Sequence, residues 1–325
     1  MIVLTHDDVA ALLPMAEAIE VIDRTMRDVS RGTATLPLRD SYPVGGDNRM
    51  GVMPGAISDP ACFGVKLLSL FPGNPARGLS SHRGAMVLFD SQTGAAVAMM
   101  DASLLTAIRT AAASAVATRA LARDDASHLA MIGYGEQAGH HLDAMMAVRA
   151  ITRLSVAGRS SALAGDFAER AARAYRQLRT SHGTDIRAAL QGADIVCTVT
   201  SAPAPIVMGD WVAPGAHVNI VGSSIPTRRE VDDRMIERGA LWVDYLPSAL
   251  AQAGEIVDMI AAGRLKPSDL RGEIGALLGG DIAGRADADQ ITIYRSLGVA
   301  AQDLAAAHHV LTRAQAEGRG QTVSL

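Results

Sequence analysis

The chain has 325 residues, 49% of them hydrophobic, 20% charged and 3% aromatic, with a net charge of −4. That length holds two domains or one large one, and the mixture is that of an ordinary soluble globular protein. The mildly acidic balance leaves no electrostatic footprint for nucleic acid or an anionic membrane, and so few rings argue against base-stacking platforms. No stretch nears the roughly 18 uninterrupted apolar residues of a membrane span, and the N-terminus lacks a basic-then-apolar leader. Cys62 and Cys197 stand far apart inside apolar runs and read as two buried free thiols. A cytoplasmic location is expected.

Thr5, Asp7 and Asp8 open a first helix, as a hydroxyl cap and two acids should. Pro14 starts a second, whose Met15, Ile19, Ile22, Met26 and Val29 recur every three to four positions until Gly32. Short strand-like runs follow: "TLPLR", "RMGVMPG", "CFGVKLLSL", "GAMVLFD" and "AAVAMMD". Turn-formers such as "GGDN", "PGNP" and "SQTG" separate them, which predicts an antiparallel sheet. Residues 103–123 are alanine-rich and helical. Beyond them "HLAMIGYG", "RLSVAG", "ADIVCTVT", "HVNIVGSS", "ALWVD" and "QITIY" alternate with helical or looped segments. That alternation marks a parallel, doubly wound sheet. The expected fold is α/β: a Rossmann domain over 122–298, and an α+β domain built from 1–121 and the returning helix in 299–325.

Inside the second domain, "MIGYGEQAG" runs from a buried strand through a glycine turn into a helix. Gly133, Gly135 and Ala138 fit G-x-G-x-x-G/A. The first glycine permits the tight turn, the second a close approach of diphosphate, and the alanine close helix packing. The helix beginning at Glu136 and Gln137 offers unpaired N–H groups and a positive dipole end to phosphate. The next strand ends in Gly158, Arg159 and Ser160, with no carboxylate to bind a ribose diol. Charge there favours NADP, although NAD stays acceptable if Arg159 only stacks on the adenine, and a surface arginine with no cofactor role is the plain alternative.

In the first domain, Arg39, Lys66 and Arg109 sit among apolar residues. Each alone reads as a solvated charge, but a lysine inside "CFGVKLLSL" is expensive to bury without an anion. Three such cations ahead of a dinucleotide fold suggest a substrate carboxylate. No metal is expected: His140–His141 and His308–His309 are adjacent pairs that diverge on a helix, and no H-x-x-x-H or C-x-x-C supports them. No G-x-S-x-G elbow marks a serine hydrolase.

Over nearly its whole length the chain resembles the ornithine cyclodeaminase/mu-crystallin family. The resemblance lies in "GVKLLSLFPGNPARGLSSHRGAMVLFDSQTG", "LLTAIRTAAASAVATRALAR", "MIGYGEQA", "GDWVAPGAHVNIVGSSIPTRREVDD" and "RSLGVAAQDLAAA". It implies a dimerising substrate domain, a Rossmann domain and bound NAD(H) or NADP(H). It also implies that Arg39, Lys66 and Arg109 grip a substrate carboxylate, and that His82 and Arg83 lie on a substrate-side loop that would suit a second carboxylate. Thr110, Thr200, Ser201, Val221 and Gly222 fall on cofactor-side positions. Where cyclodeaminases carry an aspartate in "VG-x-D-x-P", this chain has Ser224, as ketimine reductases resembling mu-crystallin do. A serine cannot supply the negative charge that holds or deprotonates an ammonium.

The implied function is hydride transfer from NAD(P)H to the C=N carbon of a small α-imino acid, cyclic or acyclic such as iminosuccinate. The implied catalytic residues are Lys66, Arg109 and Ser224, with Lys66 both anchoring carboxylate and sharing a proton with the imine nitrogen. A homodimer is expected. The alternatives are an ornithine cyclodeaminase-type lyase that recycles bound NAD, and a crystallin-like dinucleotide-binding protein without catalysis.

Overall fold

The computed structural model describes residues 1–324, apart from the side chain of Pro75. Two compact units divide the chain: 1–112 with 298–325, and 113–297.

The first unit opens with strand β1 (Ile2–Leu4) and helices α1 (His6–Leu12) and α2 (Met15–Ser30). Thr5 caps α1 reciprocally: its hydroxyl accepts from Asp8 N at 3.3 Å while the Asp8 carboxylate accepts from Thr5 N at 2.9 Å. Strands β2 (Asp40–Pro43), β3 (Arg49–Ser58), β4 (Ala61–Leu70), β5 (His82–Asp90) and β6 (Ala96–Asp101) form an antiparallel meander. Helix α3 (Ala102–Leu121) follows.

Two expectations need correcting here. The sheet is mixed, because β1 pairs in parallel with β6 and antiparallel with the C-terminal strand Gln321–Thr322. "TLPLR" is not a strand: Thr35 bridges Ala56, but Pro37 has no N–H to donate, and the ladder starts at Asp40.

One face of this sheet is covered by the C-terminal helix, Ala300–Glu317, which packs on β3 and β4. Gly55 and Gly64 let it come close, since a Cβ there would meet Ala300 at 2.9 Å and Leu304 at 3.1 Å. The opposite face carries Met50, Phe63, Leu67 and Met99, all exposed, and Phe63 stacks on Phe89 with centroids 5.2 Å apart.

The second unit is a wholly parallel sheet. Its strands are β7 (His128–Ile132), β8 (Arg153–Ala157), β9 (Arg179–Gly183), β10 (Ile195–Thr198), β11 (His217–Ile220), β12 (Gly239–Val243), β13 (Gly272–Glu273) and β14 (Ile291–Arg295). The order is β13-β12-β14-β11-β10-β7-β8-β9, so the winding reverses between β7 and β10. In open α/β sheets that reversal opens a crevice for ligand beyond the strand ends. Helices α4 (Glu136–Val148) and α5 (Ser161–Ala174) follow β7 and β8. Edge strands β9 and β13 escaped the sequence reading; "RTSHG" of β9 is largely exposed and has no apolar alternation to betray it. Among the described residues no helix is long and apolar enough to cross a membrane.

Candidate active site

Successive side chains on a strand face opposite ways. Cys62, Gly64 and Lys66 therefore point from β4 towards the C-terminal helix, and Lys66 is fully buried. Its Nζ lies 2.7 Å from Oδ2 of Asp303, itself fully buried on that helix. The other oxygen, Oδ1, accepts from Nε of Arg109 at 2.8 Å, while Arg109 Nη1 donates to Gln302 Oε1 at 2.9 Å. One carboxylate thus holds two cations side by side.

Arg39 joins them through Gly298, whose carbonyl accepts from Arg39 Nη2 at 2.7 Å. Gly298 has φ +77°, and a Cβ there would lie 2.8 Å from Arg109 Nη2 and 3.0 Å from its Cζ. Only glycine lets the guanidinium lie flat on this backbone.

The electrostatics follow from burial. Desolvation, then the Arg109 charge and more weakly Arg39, pull the Lys66 ammonium down to about 7, against the opposing attraction of Asp303. Burial pushes the Asp303 carboxyl upward, but Arg109 and Lys66 outweigh it and hold the group below its ordinary value. Asp303 and Gln302 were missed by the sequence reading. The available signal was an acid within "VAAQDLAAA", a run otherwise apolar enough to be buried, where a carboxylate must find a cation.

His82 and Arg83 start β5, exposed, and are not drawn into this cluster. The register Met86↔Lys66 places His82 on the Lys66 face, four residues along, and Arg83 on the opposite one. The Thr110 hydroxyl donates to the Thr106 carbonyl of its own helix at 2.6 Å.

In the second unit the glycine turn has the geometry of a phosphate cradle. Gly133 has φ +107°, with Val199 O only 2.9 Å from where a Cβ would stand. Gly135 caps α4 without any side-chain hydrogen bond, and the space its Cβ would fill is open. The first turn of α4, at Glu136 and Gln137, therefore begins at open space with no side-chain cap from Gly135. Among the described residues, Gln137 Oε1 is buried without a partner. These features fit a dinucleotide. Tyr134 packs its ring under Gly158, and its hydroxyl accepts from Ser160 N at 2.9 Å. Ser160 caps α5 through Leu163 N. Arg159 is exposed, with no ion pair among the described residues.

Across the reversal, Glu230 ties the two facing loops together. Its buried carboxylate accepts from Thr198 Oγ1 at 2.8 Å, Thr200 N at 2.7 Å, Thr200 Oγ1 at 2.6 Å and Gly222 N at 2.7 Å. Burial raises its pKa, and these four donors pull the other way. Val221 N donates to Thr198 O at 3.0 Å, closing the same seam, while Ser201 stays exposed. Glu230 also escaped the sequence reading. Buried Arg295 pairs with Glu255 and donates to Ser223 O at 2.5 Å, bracing the loop that carries Ser224. The Ser224 hydroxyl is half-buried and has no hydrogen-bond partner among the described residues.

Residues 1–318 match the model of the ornithine cyclodeaminase/mu-crystallin family. The chain belongs to that family. It is 32% identical to a Delta(1)-pyrroline-2-carboxylate reductase of Bacillus cereus over 325 residues, covering 99% of each chain. The solved Thermococcus litoralis Delta(1)-pyrroline-2-carboxylate reductase, in complex with NADH and L-proline, matches at TM-score 0.96 and 32% identity. It covers 99% of this chain and 100% of that one. An archaeal alanine dehydrogenase, a dimer with bound NAD, matches at TM-score 0.93 and 29% identity over 100% and 99% of the two chains.

For this cyclodeaminase/mu-crystallin member, the loop beyond β11 offers a hydroxyl and no carboxylate at 224. The chemistry at hand in the first unit is a buried, strongly cationic grip with one lysine near neutrality. Cys62 and Cys197 are buried free thiols that take no part: burial raises them to about 11 and about 12.

Proposed function

We propose that the protein is an NAD(P)H-dependent reductase of small α-imino acids, forming the L-amino acid. Cyclic ketimines of the Delta(1)-pyrroline-2-carboxylate type are the first candidates, given the relatives' names. The observation that carries this reading is the buried Lys66–Asp303–Arg109 cluster. Its two cations outnumber its one carboxylate, and Arg39 adds a third charge.

A substrate carboxylate completes that charge balance, with guanidinium forks giving it orientation and the ammonium adding point charge. Lys66, held near neutrality, then hands a proton to the imine nitrogen, which makes the adjacent carbon far more electrophilic. Reduced nicotinamide, when bound on the second unit, supplies the hydride. Ser224 offers a hydroxyl, which cannot take up the charge that an ornithine side-chain ammonium requires. Holding the carbon in one orientation contributes much of the acceleration.

The assay is loss of absorbance at 340 nm with NADPH or NADH and a panel of 2-oxo acids with amines, Delta(1)-pyrroline-2-carboxylate included. Cofactor oxidation is expected, and Lys66→Met should abolish it while nucleotide binding persists. Ammonia release from ornithine without net oxidation would assign a cyclodeaminase, and neither activity would leave a binding protein.

On the nucleotide, NADPH is favoured over NADH. No carboxylate ends β8, and Arg159 stands free beside the α5 N-terminus to receive a 2′-phosphate. Arg159→Ala should lower NADPH affinity about tenfold and leave NADH unchanged; equal effects on both would remove Arg159 from 2′ recognition. The exposed apolar face bearing Met50, Phe63, Leu67 and Met99 calls for a cover, and a second copy of the chain supplies it as a homodimer. Two buried thiols suit a reducing cytoplasm.

A further inference from the structure

We propose that Asp303 is the positioning residue for imine protonation: its carboxylate keeps Lys66 charged against two neighbouring guanidinium groups, so that Lys66 retains a proton to give. This inference rests on the imine-reductase reading and assigns the residue that makes its acid work.

The argument starts from what surrounds Lys66. Met53 of β3 and Met86 of β5 lie opposite it in the sheet and carry no charge. Arg109 approaches from α3, Arg39 from the segment before β2, and Asp303 from the C-terminal helix. Among the described residues these three are the charged groups acting on the ammonium, two cations and a single anion. A fully buried lysine facing two guanidinium groups sheds its proton unless a carboxylate touches it.

Asp303 meets that need with divided loyalties. Oδ2 lies 2.7 Å from Lys66 Nζ and Oδ1 accepts from Arg109 Nε at 2.8 Å. It therefore consumes one donor from each cation. Two hydrogens on Lys66 and those on Arg109 Nη2 remain for substrate. In each turnover Lys66 loses one proton to the imine nitrogen and regains one from water. The nicotinamide hydride named above reduces the carbon, so one imine, one hydride and one proton give one amine. A second consequence concerns binding. An incoming carboxylate adds negative charge beside Lys66 and raises its proton affinity, so the substrate helps to load its own proton donor.

The test is the pH dependence of kcat/KM, which reports the free enzyme. For the wild type it should fall as pH rises past about 7, as Lys66 empties. Asp303→Asn should move that limb at least one pH unit lower, so that kcat/KM at pH 8 drops more than tenfold yet recovers most of its value on acidification. Asp303→Glu should restore the limb towards the wild-type position. Arg39→Met, which removes a repelling cation, should move the limb upward even though KM rises. A loss in Asp303→Asn that is uniform across pH, or an Arg39→Met limb that stays in place, overturns the proposal. The second variant decides if the first does not fold.

Binding of pyrrole-2-carboxylate, a planar carboxylate that is not reduced, gives the same limb without turnover. Should the wild type reduce no imine, the functional reading fails while this binding profile still judges Asp303.

Discussion

Replacing Gly298 by alanine perturbs the clamp through one methyl group. The left-handed φ of +77° costs a non-glycine residue about 1 kcal/mol. The larger effect is steric. The new Cβ would stand 2.8 Å from Arg109 Nη2 and 3.0 Å from Cζ, so the guanidinium must leave the backbone it lies against. Its bonds to Asp303 and Gln302, at 2.8 and 2.9 Å, then stretch or break. A charge-assisted bond contributes about 1.5–3 kcal/mol, so misaligning the fork towards substrate should cost about 3 kcal/mol, close to a hundredfold in kcat/KM. The assay is steady-state NADPH oxidation against imino-acid concentration, beside nucleotide affinity by fluorescence. KM should carry most of the loss, and nucleotide affinity should stay unchanged because Gly133 and Glu230 are untouched. A kcat/KM within threefold of wild type would show that Arg109 tolerates displacement and is not a grip on substrate. An equal loss of nucleotide affinity would show general unfolding instead.

Two further predictions follow from other buried groups. Glu230→Gln turns an acceptor of four hydrogen bonds into a group whose amide faces N–H or O–H donors. A buried mismatch of that kind costs about 1–3 kcal/mol, so nucleotide affinity should fall about tenfold or more with the carboxylate clamp intact; unaltered affinity would detach these loops from the cofactor. Acid should unfold the protein through its neutral buried histidines. Burial, only partly offset by the Gln137 carbonyl, pulls His141 down to about 4, and burial with the Arg285 charge pulls His217 to about 3. Both folded values lie below the ordinary 6.5, so the unfolded chain binds more protons between them. Stability therefore falls as pH drops below 6.5, by about 1.4 kcal/mol per pH unit for each histidine. Urea midpoints from pH 6.5 to 4.5 should show this slope, and His217→Gln should reduce it; an unchanged slope would contradict the assignment.

How far the site could be read in advance varies by residue. Gly133, Gly135 and the alternation around them were legible because a phosphate turn is a local object with its own glycine spacing. Lys66 was legible as an anomaly, a charge in an apolar strand, and its cost of burial is a local fact too. Its partner was not: Asp303, which also holds Arg109 from 194 residues away, lies at the far end of the chain. Arg83 shows the converse limit, since its neighbour His82 lies on the Lys66 face and strand parity alone sends Arg83 to the other.

By itself the sequence determined the classes of element, the doubly wound half, the nucleotide turn and the presence of cations wanting an anion. Each of these depends on residues within a few positions of one another, where periodicity and capping act. Tertiary structure decided which carboxylate answers those cations, which glycine seats Arg109, how Glu230 joins two loops, and that polar β9 is a strand at all. Those outcomes depend on which distant faces meet when the chain closes. Burial then turns such meetings into energy, because a charge withdrawn from water is stable only beside its complement.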